Sequence, residues 1–137
     1  MVEERPDCTV LVVGTDAWAI DRTAAALRAA GMRVRRCQEP NEPAFPCNAF
    51  VTGRTCPLDE GFDVVLTARA RPARDPEPRE AGVVCALRTR HPLVVAGVTG
   101  ANPYESVAAV VVAEGGDAAA ACRRAAQAAP AVVDLRH

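Results

Sequence analysis

Three cysteines surround one irregular stretch of the chain and are the residues best suited to chemistry. Cys37 precedes residues 38–61, and Cys47 and Cys56 lie within that stretch. A disulfide between Cys47 and Cys56 would restrict the unfolded loop and stabilise the fold by about 2–3 kcal/mol. In a reducing compartment such a bond would behave as a redox switch. The three thiols therefore predict one alternative function, a thiol-based redox sensor.

A metal sensor is the second form of this alternative. Zinc and iron–sulfur (Fe–S) clusters need three or four converging thiolate or imidazole ligands. Cys37, Cys47 and Cys56 would supply three of them, although their spacing lacks the CxxC pairs typical of such sites. The fourth ligand would be one of three residues: Cys8, Cys85 or His91.

The simpler interpretation of the cysteines is that they are small buried residues. Cys8 stands at the start of a predicted strand, Cys85 in a predicted helix and Cys122 on the apolar face of an alanine-rich helix. We predict that these three are core thiols. The same interpretation stays open for the three loop cysteines, and it implies no metal and no cofactor.

Other catalytic chemistry finds little support in the sequence. The chain has one serine, Ser106, and two histidines, His91 and His137, which form no nucleophile–base arrangement. Gly14 begins a turn that lacks the further glycines of a dinucleotide fingerprint. All sixteen basic residues are arginine, which excludes any mechanism that needs a lysine amine. An enzyme of unknown type is therefore the least favoured function.

Length, composition and charge restrict the class of protein and its partners. With 137 residues, half of them hydrophobic, the chain is predicted to form a single domain over 1–137. A net charge of −1 indicates neither nucleic acid nor anionic lipid as a partner. Met1–Asp7 is polar and acidic, unlike a signal peptide, and the apolar runs are too short to span a bilayer. We predict a cytoplasmic protein with no nucleic-acid and no membrane contact.

Alternating apolar and amphipathic segments predict the elements that would position these residues. Apolar, β-branched runs predict five strands: Thr9–Val13, Met32–Cys37, Phe62–Ala68, Leu93–Val98 and Ala109–Ala113. Helical spacing predicts helices over three ranges: Ala17–Ala30, Glu80–Arg90 and Ala118–Ala129. Asp16 (or Thr15) and Asp117 are predicted N-caps, and Asn102–Ser106 allows a turn or short helix. Residues 38–61, with four prolines, are predicted to replace one helix by a loop.

This alternation predicts an α/β fold with a parallel sheet covered by helices on both faces. Right-handed crossovers leave few possible topologies, and the best match is a flavodoxin-like three-layer sandwich with strand order 2-1-3-4-5.

Three segments resemble response-regulator receiver (CheY-like) domains. The segment Val10–Val34, VLVVGTDAWAIDRTAAALRAAGMRV, resembles the first βαβ unit of that family. The segment Phe62–Pro72, FDVVLTARARP, resembles the family's third strand and the loop after it. The segment His91–Gly100, HPLVVAGVTG, resembles the family's fourth strand. The resemblance covers roughly Cys8–Ala129 and implies the same five-stranded fold.

The family's chemical residues are missing at the matching positions. The resemblance implies that Mg²⁺ would be held after strand 1, where Gly14 and Thr15 stand, and that the phosphoacceptor aspartate would be at Ala68. The family's strand 4 hydroxyl falls at Gly97, and its strand 5 lysine falls at about Ala113. Without carboxylates Mg²⁺ has no ligands and no acyl phosphate can form. The chain is therefore predicted to be a degenerate pseudo-receiver that is not phosphorylated.

What remains is a scaffold that would act through its surface. We expect a regulatory or protein-interaction module with a protein partner, and a homodimer is one possible form. The candidate ligand- or partner-binding residues follow the carboxyl ends of the strands: Thr15, Asp16, Trp18, Arg69, Arg71, Thr99 and Asn102. Trp18 is interpreted as a packing residue near the start of the first helix, with partner contact as the alternative. Arg69, Arg71 and Arg74 are interpreted as an exposed basic loop.

Overall fold

The five predicted strands form one parallel sheet in the order β2-β1-β3-β4-β5, which confirms the predicted flavodoxin-like α/β topology. The computed structural model describes residues 8–14, 16–36, 61–71, 74–77, 80–97 and 102–128. The strands are β1 Thr9–Val13, β2 Arg33–Arg35, β3 Val64–Arg69, β4 Leu93–Gly97 and β5 Val110–Ala113. The helices are α1 Ala17–Ala29, α2 Ala81–Arg88 and α3 Ala118–Ala128, with a 3-10 turn at Glu105–Val107.

Successive residues of the central strands point to opposite faces of the sheet and feed two separate hydrophobic cores. Val10 and Leu66 belong to the core that α1 and α3 cover. Leu11 and Val65 belong to the core on the opposite face, where α2 packs. Because β1 and β3 are buried on both faces, Val10–Val13 and Val64–Leu66 are continuous apolar runs rather than alternating ones.

The helices α1 and α3 begin at aspartate N-caps, as predicted. The Asp16 carboxylate accepts hydrogen bonds from the backbone N–H groups of Trp18 and Ala19 at 3.0 and 3.2 Å. Asp117 accepts one from the Ala120 N–H at 3.0 Å. These side chains satisfy N–H groups that have no partner within the helix.

The observed strand β2 is shorter than its prediction. It comprises Arg33–Arg35, the first of which is exposed, as expected for an edge strand. Cys37 and most of the predicted loop over 38–61 lie outside the described residues. The prediction that this loop replaces a helix therefore stays a prediction. Within the described ranges, no helix is long and apolar enough to cross a membrane.

Candidate functional site

A cleft of about 300 Å³ opens at the carboxyl ends of β3, β4 and β5, between α1 and α3. In doubly wound α/β folds this edge of the sheet is the usual place for ligands and partners. The floor of the cleft consists of small side chains and backbone at the strand ends: Ala68, Ala96, Gly97 and Val112. One wall is α1, and the other is the segment 114–119 that leads into α3.

Small residues leave this space open. Ala68 and Ala96 are buried members of the core beneath α1 and α3, and their methyl groups end where larger side chains would fill the cleft. Gly97 has a φ of 90°, and a Cβ atom there would lie 2.5 Å from the Arg69 carbonyl oxygen. Only glycine permits this close approach of β4 to β3 at the floor of the cleft.

Trp18 stands at the rim of the cleft and is 59% exposed. The buried face of α1 consists of Ala19, Ile20, Ala24 and Leu27. Trp18 falls away from the main stripe of this face, so its interpretation as a packing residue is wrong. The Arg22 guanidinium lies over the indole, 4.7 Å from the ring centroid, at the distance of a cation–π contact.

The two walls of the cleft carry opposite charges. Arg22 lines the α1 wall, and Glu114 and Asp117 line the other wall, where both are exposed. Within the described part of the chain, neither Arg22 nor Glu114 makes an ion pair. The cleft therefore has an apolar floor between one basic and one acidic rim.

A buried polar cluster occupies the opposite side of the same sheet edge. It consists of Arg69, Glu80, Asn102 and Tyr104. The Arg69 guanidinium donates to both Glu80 carboxylate oxygens, at 2.8 and 2.6 Å, and to the Asp75 carbonyl at 2.8 Å. This bidentate ion pair is 4% and 0% exposed, and it ties the end of β3 to the start of α2.

The placement of Arg69 in an exposed basic loop is therefore wrong. The strand β3 extends one residue beyond its predicted end, so Arg69 points onto the face that α2 covers. Its hydrogen bond to Glu80 raises the pKa of Arg69, and burial acts in the opposite direction. Arg71 and Arg74 are exposed, as predicted.

Tyr104 and Asn102 complete the polar cluster. Burial, and then the Glu80 charge, raise the pKa of the Tyr104 phenol, which is therefore neutral at physiological pH. The Asn102 side-chain oxygen accepts a hydrogen bond from the Tyr104 N–H at 2.8 Å. The Asn102 amide nitrogen and the Thr67 hydroxyl are both buried and have no hydrogen-bond partner within the described residues.

The other predicted site residues are separated from the cleft or fall outside the described part of the chain. Asp16 is committed to capping α1. Thr15, Thr99 and the sensor candidates Cys37, Cys47 and Cys56 lie outside the described residues, so the thiol-sensor alternative stays a prediction. Within the described ranges, no group of three His, Cys, Asp or Glu side chains is arranged to hold a metal ion.

The remaining cysteines divide into two kinds. Cys8 and Cys122 are buried, as predicted, and burial followed by the nearby Cys8 raises the pKa of Cys122 to about 12. Cys85 is exposed, so its prediction as a core thiol is wrong. The helix α2 buries Gly82, Val83 and Ala86, and Cys85 falls outside that face.

Sequence reasoning missed four residues of this region: Arg22, Glu80, Tyr104 and Glu114. The spacing of Trp18 and Arg22 places them on one side of α1 and could have suggested their contact. No sequence signal links Glu80 to Arg69, because their pairing depends on how α2 docks on the sheet. Comparison of the chain with protein-family models, curated proteins and solved structures finds no match.

Proposed function

We propose that this chain is a receiver-like regulatory domain that is not phosphorylated and acts in the cytoplasm by binding protein through the cleft between α1 and α3. The observation that carries the proposal is the cleft itself. It lies at the carboxyl edge of the sheet, where a receiver would hold its phosphoacceptor, yet its floor is alanine, glycine and valine.

The groups at this edge support the proposal that the chain is not phosphorylated. Ala68, at the position of the acceptor, offers a methyl group. Asp16, the carboxylate nearest the end of β1 in sequence, accepts two backbone hydrogen bonds as the cap of α1. Arg69, the charged residue that ends β3, is paired with Glu80. Mg²⁺ requires several oxygen ligands, and among the described residues no group of three His, Cys, Asp or Glu side chains is arranged to hold a metal ion.

The properties of the rim favour a protein partner. An exposed tryptophan beside an apolar recess is typical of the residues that contribute most to binding at protein interfaces. Trp18 is the only tryptophan in the chain and lies at this rim. The opposed charges of Arg22 and Glu114 would orient a partner and accelerate its encounter.

Two measurements test the proposal. Incubation with acetyl phosphate and Mg²⁺ should give no acid-stable, base-labile phosphate on the protein, and stable aspartyl phosphorylation would refute the proposal. A binding partner identified by crosslinking should then be titrated against purified wild-type chain and Trp18→Ala. We expect the substitution to weaken binding about tenfold or more.

Val84→Ala provides the matched control for that titration. Val84 is 48% exposed on α2 and does not line the cleft. Its truncation should leave the affinity unchanged. Equal losses in the two variants would show that the partner does not use the cleft.

A further inference from the structure

We infer that the occupant of the cleft is Trp18 of a second copy of this chain, in a symmetric homodimer with two equivalent Trp18 contacts. This inference rests on the proposed function, in which the cleft is a protein-binding surface, and it names the partner. Three properties of the described residues support it: the adjacency of a projecting side chain and a recess, their sizes, and their charges.

The adjacency is what makes the surface self-complementary. Trp18 projects from the same rim that borders the recess. A two-fold axis close to this rim places Trp18 of each copy over the cleft of the other. Such an isologous contact uses one surface twice, and it closes at two subunits.

The sizes of the projecting group and the recess agree. The cleft has a volume of about 300 Å³ and is open on one side. Tryptophan is the largest side chain, and burying it removes about 150–250 Å² of surface from water. The alanine-lined floor offers methyl groups and backbone to the flat face of an indole. Among the described residues, the other exposed large apolar side chains are single valines: Val84, Val107 and Val111.

The charges agree with the same arrangement. Insertion of Trp18 into the second copy's cleft also brings Arg22 to that cleft, because its guanidinium lies 4.7 Å from the indole centroid. The acidic wall that it meets carries Glu114 and Asp117. Each copy thus supplies the basic group for the acidic rim of the other, and the two-fold axis repeats this contact.

The experiment is a concentration series of the full chain, followed by sedimentation velocity and by tryptophan emission. Because Trp18 is the only tryptophan, its emission reports the contact without labels. We expect a monomer–dimer equilibrium that is micromolar or weaker, as is usual for small interfaces. The emission should move to shorter wavelength in step with dimer formation. Trp18→Ala should raise the dimer dissociation constant about tenfold or more.

Charge reversal provides the specific test. Arg22→Glu alone and Glu114→Arg alone should each weaken self-association, because like charges then meet in both contacts. Glu114→Arg leaves the Asp117 cap of α3 intact. An equimolar mixture of the two variants should recover association, since each contact of the mixed dimer again pairs opposite charges. Circular dichroism melts of both variants check that they fold.

A chain that stays monomeric up to the highest soluble concentration would overturn the inference. So would a dimer that is indifferent to Trp18→Ala, or a mixture of the charge variants that associates no better than either one alone. In each case, binding of a different protein to the cleft would still support the proposed function. Loss of that binding as well would refute both.

Discussion

The two sides of the sheet's carboxyl edge have opposite characters although the same strands build them. On the side of α1 and α3, small residues leave a cleft with an exposed tryptophan at its rim. On the side of α2, the polar cluster fills the space with a bidentate ion pair and a buried phenol. The contrast begins at consecutive residues, because Ala68 and Arg69 point to opposite faces of β3.

This difference separates stability from recognition. The polar cluster joins the end of β3 to α2 by hydrogen bonds between fully buried groups, so damage there should unfold the protein. The cleft borders the hydrophobic core beneath α1 and α3, but the Trp18 and Arg22 side chains at its rim are exposed and do not belong to that core. Changes at its rim should alter binding and leave the fold intact.

The largest effect is expected at the ion pair. Glu80→Ala leaves the Arg69 guanidinium buried without its carboxylate and should lower the free energy of unfolding by about 3–5 kcal/mol. Urea unfolding at neutral pH measures the loss. The double variant Arg69→Met with Glu80→Leu removes both charges and should recover much of the stability. A loss below about 1 kcal/mol for Glu80→Ala would show that the polar cluster contributes little.

A slightly smaller loss of stability is expected at Gly97, where β4 closely approaches β3. Gly97→Ala adds a Cβ atom 2.5 Å from the Arg69 carbonyl oxygen at a positive φ, and should destabilise the fold by about 3 kcal/mol. Gly31→Ala is the control, because Gly31 also has a φ of 90° but faces open space. It should cost about 1 kcal/mol. Equal losses in thermal or urea unfolding would contradict the close approach of β4 to β3.

The fall in the free energy of unfolding at alkaline pH allows the two hydrophobic cores to be compared, because each contains a buried group with a raised pKa. Burial raises the pKa of the Cys122 thiol from an ordinary 9.0 to about 12, so the folded state retains this proton more tightly. The contribution of this thiol to the free energy of unfolding should therefore be constant below pH 9 and fall by about 1.4 kcal/mol per pH unit from there toward pH 12.

Cys122→Ala should reduce the dependence of the free energy of unfolding on alkaline pH. The packing lost with the sulfur should lower stability by the same amount at every pH and leave this slope unchanged. Tyr104→Phe makes the matching test on the other side of the sheet, where the raised pKa of the phenol has the same sign. Unfolding curves measured at several alkaline pH values separate the two contributions. A Cys122→Ala variant with the wild-type slope would show that this thiol does not cause it.

The smallest effect on stability is expected at the rim. Trp18→Ala removes a side chain that is mostly exposed, so the free energy of unfolding should change by less than about 0.5 kcal/mol. Ile20→Ala, two residues along the same helix but 5% exposed, should cost about 2–5 kcal/mol. If Trp18→Ala proved as destabilising as Ile20→Ala, the rim would belong to the core.

The exposed and buried cysteines offer a further comparison at no cost in stability. Cys85 should react with a thiol reagent at neutral pH in the folded protein, whereas Cys8 and Cys122 should react only after unfolding. The variant Cys85→Ser should lose the fast-reacting thiol among these three. Rapid modification of Cys122 in the native chain would contradict its burial.

Local patterns were sufficient to place the five strands, the N-caps of α1 and α3 and the topology, although not the exact bounds of β2 and β3. The apolar runs at Thr9–Val13 and Leu93–Gly97 are buried because parallel strands lie between two layers of helices. Asp16 and Asp117 cap their helices because a carboxylate there meets free N–H groups a few residues away. Each of these features depends on residues close together in the sequence, and handedness rules then restrict the strand order.

Long-range packing decided the rest. Whether Arg69 is exposed or paired depends on the docking of α2, which brings Glu80 to the end of β3. The orientation of Trp18 and Cys85 depends on which stripe of each helix meets the sheet, and short amphipathic helices define that stripe poorly. The cleft exists because alanines and glycines from three strands and two helices converge at one edge. No local pattern encodes such a convergence, since an empty space is a property of the assembled surfaces.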